Sequence, residues 1–175
     1  MNFSGPYDKQ IAAQYRGGLL TPLLAGWEFR QKPALLAGQA GWLSLAKNQD
    51  WILTAPIRHD LMSDKWVIVV TDSDQVIQYV NPRFEEMTGY THQEVIGRRP
   101  TFLQGERTSL LSRQRIKQAI QQRRSVSERL LNYRKDQTPY WCQIVIRPIV
   151  NRQKQVVNFI AFEQEVPSDE SYVDR

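Results

Sequence analysis

Between Val126 and Glu165 the chain carries three segments rich in β-branched and aromatic residues. They are Val126 to Arg134, Thr138 to Val150 and Val156 to Glu165, parted only by the polar turns Lys135-Asp136-Gln137 and Asn151-Arg152-Gln153-Lys154. They read as three strands. Upstream, Trp66-Val67-Ile68-Val69-Val70 and Val76-Ile77-Gln78-Tyr79-Val80 flank Asp72-Ser73-Asp74 and read as a hairpin.

Helices separate the two strand groups. Asn81-Pro82 supplies an N-cap and a proline at the first helical position, and Gly89 supplies a C-terminal cap. That predicts a short helix from Arg83 to Thr88 with Phe84 and Met87 facing inward. After Gly97 a loop-rich stretch runs to Arg107. Thr108 to Arg123 then reads as a helix capped by Thr108 or Ser109, with Ile116, Ala119 and Ile120 on one stripe. The predicted order is β-β-α-α-α-β-β-β.

Extended chain alternates its side chains between two faces, which sorts the strand residues. Leu130 and Asn132, then Cys142, Ile144 and Ile146, then Phe159, Ala161 and Glu163 share one face and are predicted to line a cavity. Glu128 is in phase with them, and together with Glu163 and Arg99 it would fill a collapsed interior with paired charges. The other face carries Trp141, Val145, Ile160 and Phe162, with Gln143 and Arg147 as its polar members. Such a patch is too apolar to stay wet. Its candidate covers are the N-terminal segment holding Trp27, Trp42 and Trp51, or the same face of a second subunit.

The 175 residues suit one core, and 41% hydrophobic with 23% charged residues is ordinary globular usage. Residues 1–64 form a distinct extension: Gly17-Gly18, Thr21-Pro22, Lys32-Pro33 and Ala55-Pro56 break it into short helices and turns. Pieces such as Ala34-Leu35-Leu36-Ala37 and Gly41-Trp42-Leu43-Ser44-Leu45-Ala46 cannot stand alone and should pack on the following domain, 65–166, or on another chain. Residues 167–175 read as a mobile tail. No apolar run approaches the roughly 20 residues of a membrane span, and Met1 to Pro6 lacks signal-peptide order, so a cytoplasmic protein is expected.

The single cysteine, Cys142, excludes an internal disulfide and a Cys-rich zinc site. His59 and His92 lie far apart and read as surface residues. With no Gly-rich phosphate loop, no Ser/His/Asp set and no metal-spaced pair, neither an enzyme nor a metal protein is expected. The net charge of +5 gathers its excess between Arg98 and Lys135. Arg113, Lys117, Arg123 and Arg124 are the candidates for nucleic-acid contact, but cations scattered over a helix and a strand read as a solvated face.

The order of elements, with Asn81-Pro82, Met87-Thr88-Gly89-Tyr90 and Glu94-Val95-Ile96-Gly97, resembles the PAS domain family over Trp66 to Val166. Gly97-Arg98, Phe102-Leu103-Gln104-Gly105, Leu131 to Asp136 and Thr138-Pro139-Tyr140-Trp141 look most like the LOV branch of blue-light receptors. The resemblance implies an α+β fold, a five-stranded antiparallel sheet of order 2-1-5-4-3 flanked by short helices, here preceded by a helical extension. It also implies a flavin, FMN, that forms a photoadduct with the cysteine of a Gly-Arg-Asn-Cys-Arg-Phe-Leu-Gln motif.

Here that stretch reads Gly97-Arg98-Arg99-Pro100-Thr101-Phe102, and Pro100 offers no nucleophile. Gln104 and Asn132 match the flavin-facing positions. Arg99 and Cys142 replace asparagines, Glu163 stands for a glutamine, Thr101 replaces a phosphate-binding arginine, and Lys117 falls where a second would be. Cys142 reads as a small buried hydrophobe. The candidate pocket positions are thus Gln104, Asn132, Lys117, Cys142, Glu163 and Arg99, with half of the flavin cradle changed, so the ligand stays open. Three readings follow. The first is a stand-alone sensory or protein-interaction PAS domain, homodimeric through Trp141, Val145, Ile160 and Phe162 and acting on a separate effector. The second is a cysteine-less flavin photoreceptor working by photoreduction. The third is a basic nucleic-acid-associated protein.

Overall fold

A computed structural model describes residues 41–168; the expectations for Trp27, the Ala34–Ala37 piece and the end of the tail fall outside them. Its elements are helix α1 over 41–48, strand β1 (Trp51–Ile52), α2 (Ala55–Met62), β2 (Val67–Asp72), β3 (Ile77–Val80), α3 (Arg83–Thr88), α4 (His92–Val95), a 3-10 turn (Pro100–Leu103), α5 (Leu110–Gln121), β4 (Val126–Tyr133), β5 (Pro139–Asn151) and β6 (Val156–Val166). Among the described residues no helix is long and apolar enough to cross a membrane.

All strand pairs are antiparallel, and the sheet runs β3-β2-β6-β5-β4. This is the 2-1-5-4-3 order expected from the resemblance. β5 is long enough to hold two partners along one side: β4 pairs with its first part, and β1 adds Trp51 opposite Asn151 and Ile52 opposite Val150. A two-residue strand interrupted by turn signals carries no period, so β1 has no signature in the sequence. Short backbone bridges touch both outer strands. Ile77 N donates to Arg98 O and Gly97 N to Ile77 O, both at 2.9 Å, while Gln104 bridges to Asn132 of β4.

The helix ends follow local chemistry, with one correction. Gly89 closes α3 at φ 76°, a left-handed conformation that glycine adopts without strain. Asn81, however, does not cap α3 with its side chain. Its Oδ1 accepts from Ile68 N at 3.0 Å and its Nδ2 donates to Trp66 O at 2.9 Å, tying the helix entrance to β2. Ser109, one of the two caps expected, opens α5 by accepting from Ser112 N. Phe84 and Met87 are buried, as expected.

The period-two sorting of β5 and β6 puts a core on each side of the sheet. On the outer side Trp42, Ile57 and Leu61 from α1 and α2 pack over Ile68, Val70, Ile160 and Phe162. Ile160 and Phe162 are wholly buried by the chain's own residues, so in this fold they are core and not an open subunit interface. Trp141 and Val145 are half-buried. Arg147 reaches Asp60 of α2 at 2.7 Å and lies over the Phe162 ring, and Trp66 meets that ring edge-on.

Asn158 stitches the outer layer. Fully buried on β6, it accepts from Trp51 Nε1 at 2.8 Å and donates to Thr71 O at 3.0 Å. Removing it strands a buried carbonyl and a part-buried indole N–H, each worth about 1–3 kcal/mol. Asn158→Leu is expected to lower stability by about 2–4 kcal/mol, read as a lower urea midpoint at unchanged slope.

Candidate functional site

The inner face of the sheet is shared between packed core and open space. Toward α3 and α4, Val67, Val69, Phe84, Met87, Val95, Leu103, Tyr140 and Cys142 close into one cluster. Toward α5, Leu130, Ile144, Ile146 and Phe159 meet Ile116 and Ile120 of the helix without filling the gap. A cavity of about 570 Å³ remains between the sheet, α5 and the 3-10 turn. That is within the usual size of small-molecule sites and contradicts the collapsed interior.

Five of the six predicted pocket residues line this cavity together: Arg99, Gln104, Lys117, Asn132 and Glu163. Pro100 and Thr101 line it as well. Cys142 does not. It shares the face by period but lies in the packed cluster, fully buried, and burial followed by the neighbouring Glu163 pushes its thiol well up. Such a thiol is inert, as expected of a small buried hydrophobe. Glu128 is likewise absent from the lining, because it turns toward Arg115 of α5 at 3.7 Å. Sequence reasoning did not find Val69, Thr71 and Gln75, contributed from β2 and the hairpin turn. Period places Val69 and Thr71 on the inner face, but only the tertiary fold brings that strand end and Gln75 under α5.

Two polar groups in the lining lack adequate partners. Asn132 is buried, and its Oδ1 makes no hydrogen bond among the described residues. The buried phenol of Tyr140 is its neighbour. A buried polar group left unpaired costs about 1–3 kcal/mol. The residue is held rigidly. Its backbone bridges to Gln104, and Thr108, buried behind it, accepts from Gly105 N at 2.9 Å and donates to Leu131 O at 2.6 Å. Gly105 itself lies so near the Tyr133 ring that a Cβ would overlap it.

Glu163 is the second such group. Only 2% exposed, it has the Cys142 thiol as its polar partner, Sγ to Oε2 3.9 Å, and no cation pairs with it among the described residues. Burial raises its carboxyl from 4.5 to about 7. By contrast, Arg99, Arg113 and Lys117 stand exposed at the cavity rim, a place suited to an anionic group. Apolar walls, a polar inner edge and a basic rim can together hold a flat heteroaromatic ring bearing a phosphate.

Residues 64–166, more than half of the chain, match the family described as PAS domain. The chain belongs to the PAS domain family. It is 38% identical over 113 residues to phototropin-2 of Oryza sativa subsp. japonica, covering 63% of this chain and 12% of that protein. It is 32% identical over 102 residues to blue-light-activated histidine kinase 2 of Erythrobacter litoralis, covering 58% of this chain and 30% of that one. The chain thus spans under a third of either relative. Among solved structures, the LOV domain of the Erythrobacter litoralis blue-light activated histidine kinase superposes with a TM-score of 0.56 at 30% identity. That match covers 59% of this chain and 97% of that one. Sequence and fold place this PAS domain in the LOV branch.

The raised carboxyl makes stability depend on pH. The folded state keeps the Glu163 proton where the unfolded chain has lost it, so this contribution is full below pH 4.5 and is lost as pH rises to about 7. Glu163→Gln removes the titration. Across that window the wild type is expected to lose up to about 3 kcal/mol relative to Glu163→Gln, measured by urea unfolding at each pH.

Proposed function

We propose that this PAS domain is a sensory module that binds a flavin-type ring in the cavity and signals without a covalent bond between ring and chain. The observation that carries the reading is the open cavity whose lining joins the buried polar residues Asn132 and Glu163 to the exposed cations Arg99 and Lys117. A bound flavin supplies blue-light absorption and one-electron reduction. The chain supplies the rest: Asn132 and Gln104 read the polar edge of the ring, the apolar walls exclude water, and Arg99 and Lys117 hold a phosphate at the rim. Pro100 lines the cavity where the branch's motif would place a thiol, and Cys142 lies outside the lining. The blue-light relatives support the ligand class, and the substitutions support the departure from adduct chemistry.

Output passes through β5. Its residues alternate between the cavity, through Ile144 and Ile146, and the outer face, where Val145 packs in the α1–α2 layer and Arg147 holds Asp60. A ligand that shifts the strand changes that contact, and the altered outer layer is read by a second copy of the chain or by a separate effector.

The test is to equilibrate the full chain with FMN, remove free ligand, and record absorption in the dark and after blue light. Retained flavin with no light-driven gain in the intact protein's mass is expected. Asn132→Leu should weaken retention about tenfold, the loss of one well-placed hydrogen bond in a buried site. Wild-type protein that retains no flavin sinks the ligand reading, and a protein mass increased by one flavin after light sinks the non-covalent one.

A further inference from the structure

Glu163 is an acid in a place that gives a carboxylate no support. Its neighbours across the sheet, Val67 of β2 and Ile144 of β5, are apolar. The titratable groups near it are the Cys142 thiol and the Tyr140 phenol of β5; burial raises both, Glu163 raises them further, and neither can neutralise an anion. Arg134 lies over the Tyr140 ring, but its guanidinium is engaged with Glu165 at 2.6 Å. Arg99 of the loop and Arg113 and Lys117 of α5 line the same cavity with exposed side chains, and none is ion-paired to Glu163. Asn132 of β4 is neutral.

A neutral carboxyl has one O–H donor and one carbonyl acceptor, whereas a carboxylate only accepts. Asn132, the other buried polar residue of the lining, carries both an acceptor and a donor. From this geometry we infer that Glu163 meets the cavity ligand as a carboxylic acid, donating its proton in a hydrogen bond to a ring nitrogen or carbonyl oxygen while Asn132 accepts from a ring N–H. The site therefore takes heteroaromatic rings of the imide or lactam type, and it takes them together with one proton. The inference rests on the flavin-type reading above and adds a second input to it: local pH sets how much of the domain is loaded. The raised carboxyl places that sensitivity near neutrality.

The experiment titrates the full chain with riboflavin by fluorescence quenching between about pH 5.5 and about pH 8.5, a span around the value of about 7 reached by Glu163. Riboflavin is the probe because it lacks the phosphate, which titrates in the same range and would engage the basic rim. For the wild type the dissociation constant should be flat at the acid end and rise up to about tenfold per pH unit above neutrality, the slope for one linked proton. Glu163→Gln keeps a donor at every pH and should bind with a flat profile, with circular dichroism reporting that it is folded. Equal pH slopes in the two proteins, or a flat wild-type profile, overturn the inference and leave the flavin-type reading standing. Failure of the wild type to bind at any pH overturns both.

Discussion

Everything in this domain depends on the two-residue repeat of extended chain. β6 sits between β2 and β5 and is packed on both sides, so each of its residues belongs either to the outer core or to the cavity side. Ile160 and Phe162 go one way, Phe159, Ala161 and Glu163 the other, and a slip of one residue would exchange them. The outer assignment buries aromatic and branched side chains under α1 and α2 and fixes the register. That register is what forces a carboxyl into the interior. The hydrophobic layer on one side thus holds in place the polar group on the other.

This repeat is also why so much of the architecture could be read from residues alone. The strands expected at Val126, Thr138 and Val156 lie within a residue or so of β4, β5 and β6, because β-branched runs bounded by polar turns leave few alternatives. What failed were features set by distant partners. Asn81 has the composition of a helix cap, yet its amide finds two strand groups and serves those instead. Glu128 is in phase with the cavity but leans out to a helix cation, and Cys142 is in phase yet lies past the cavity's end. Period assigns a face; it does not say how far along that face open space extends.

The cavity combines a feature that weakens the fold with one that equips it. A core of this size would be more stable with its lining collapsed, its amide oxygen paired and its acid replaced by a hydrocarbon. The chain keeps these unmet demands on the side of the sheet opposite the firmly packed outer layer. Binding energy from a ligand is then available where the structure has left polar groups wanting.

The bridges made by residues 97, 98 and 104 have a further consequence. A sheet's outer strands present rows of unpaired amides, a template on which other chains can grow by strand addition. β3 is four residues long and occupied by the Gly97–Arg98 backbone, while β4 meets Gln104 at Asn132. The same connecting segment that walls the cavity therefore also occupies one position on each flank of the sheet, Ile77 of β3 and Asn132 of β4. A change in that segment that reshapes the pocket would also bear on the solubility of the protein.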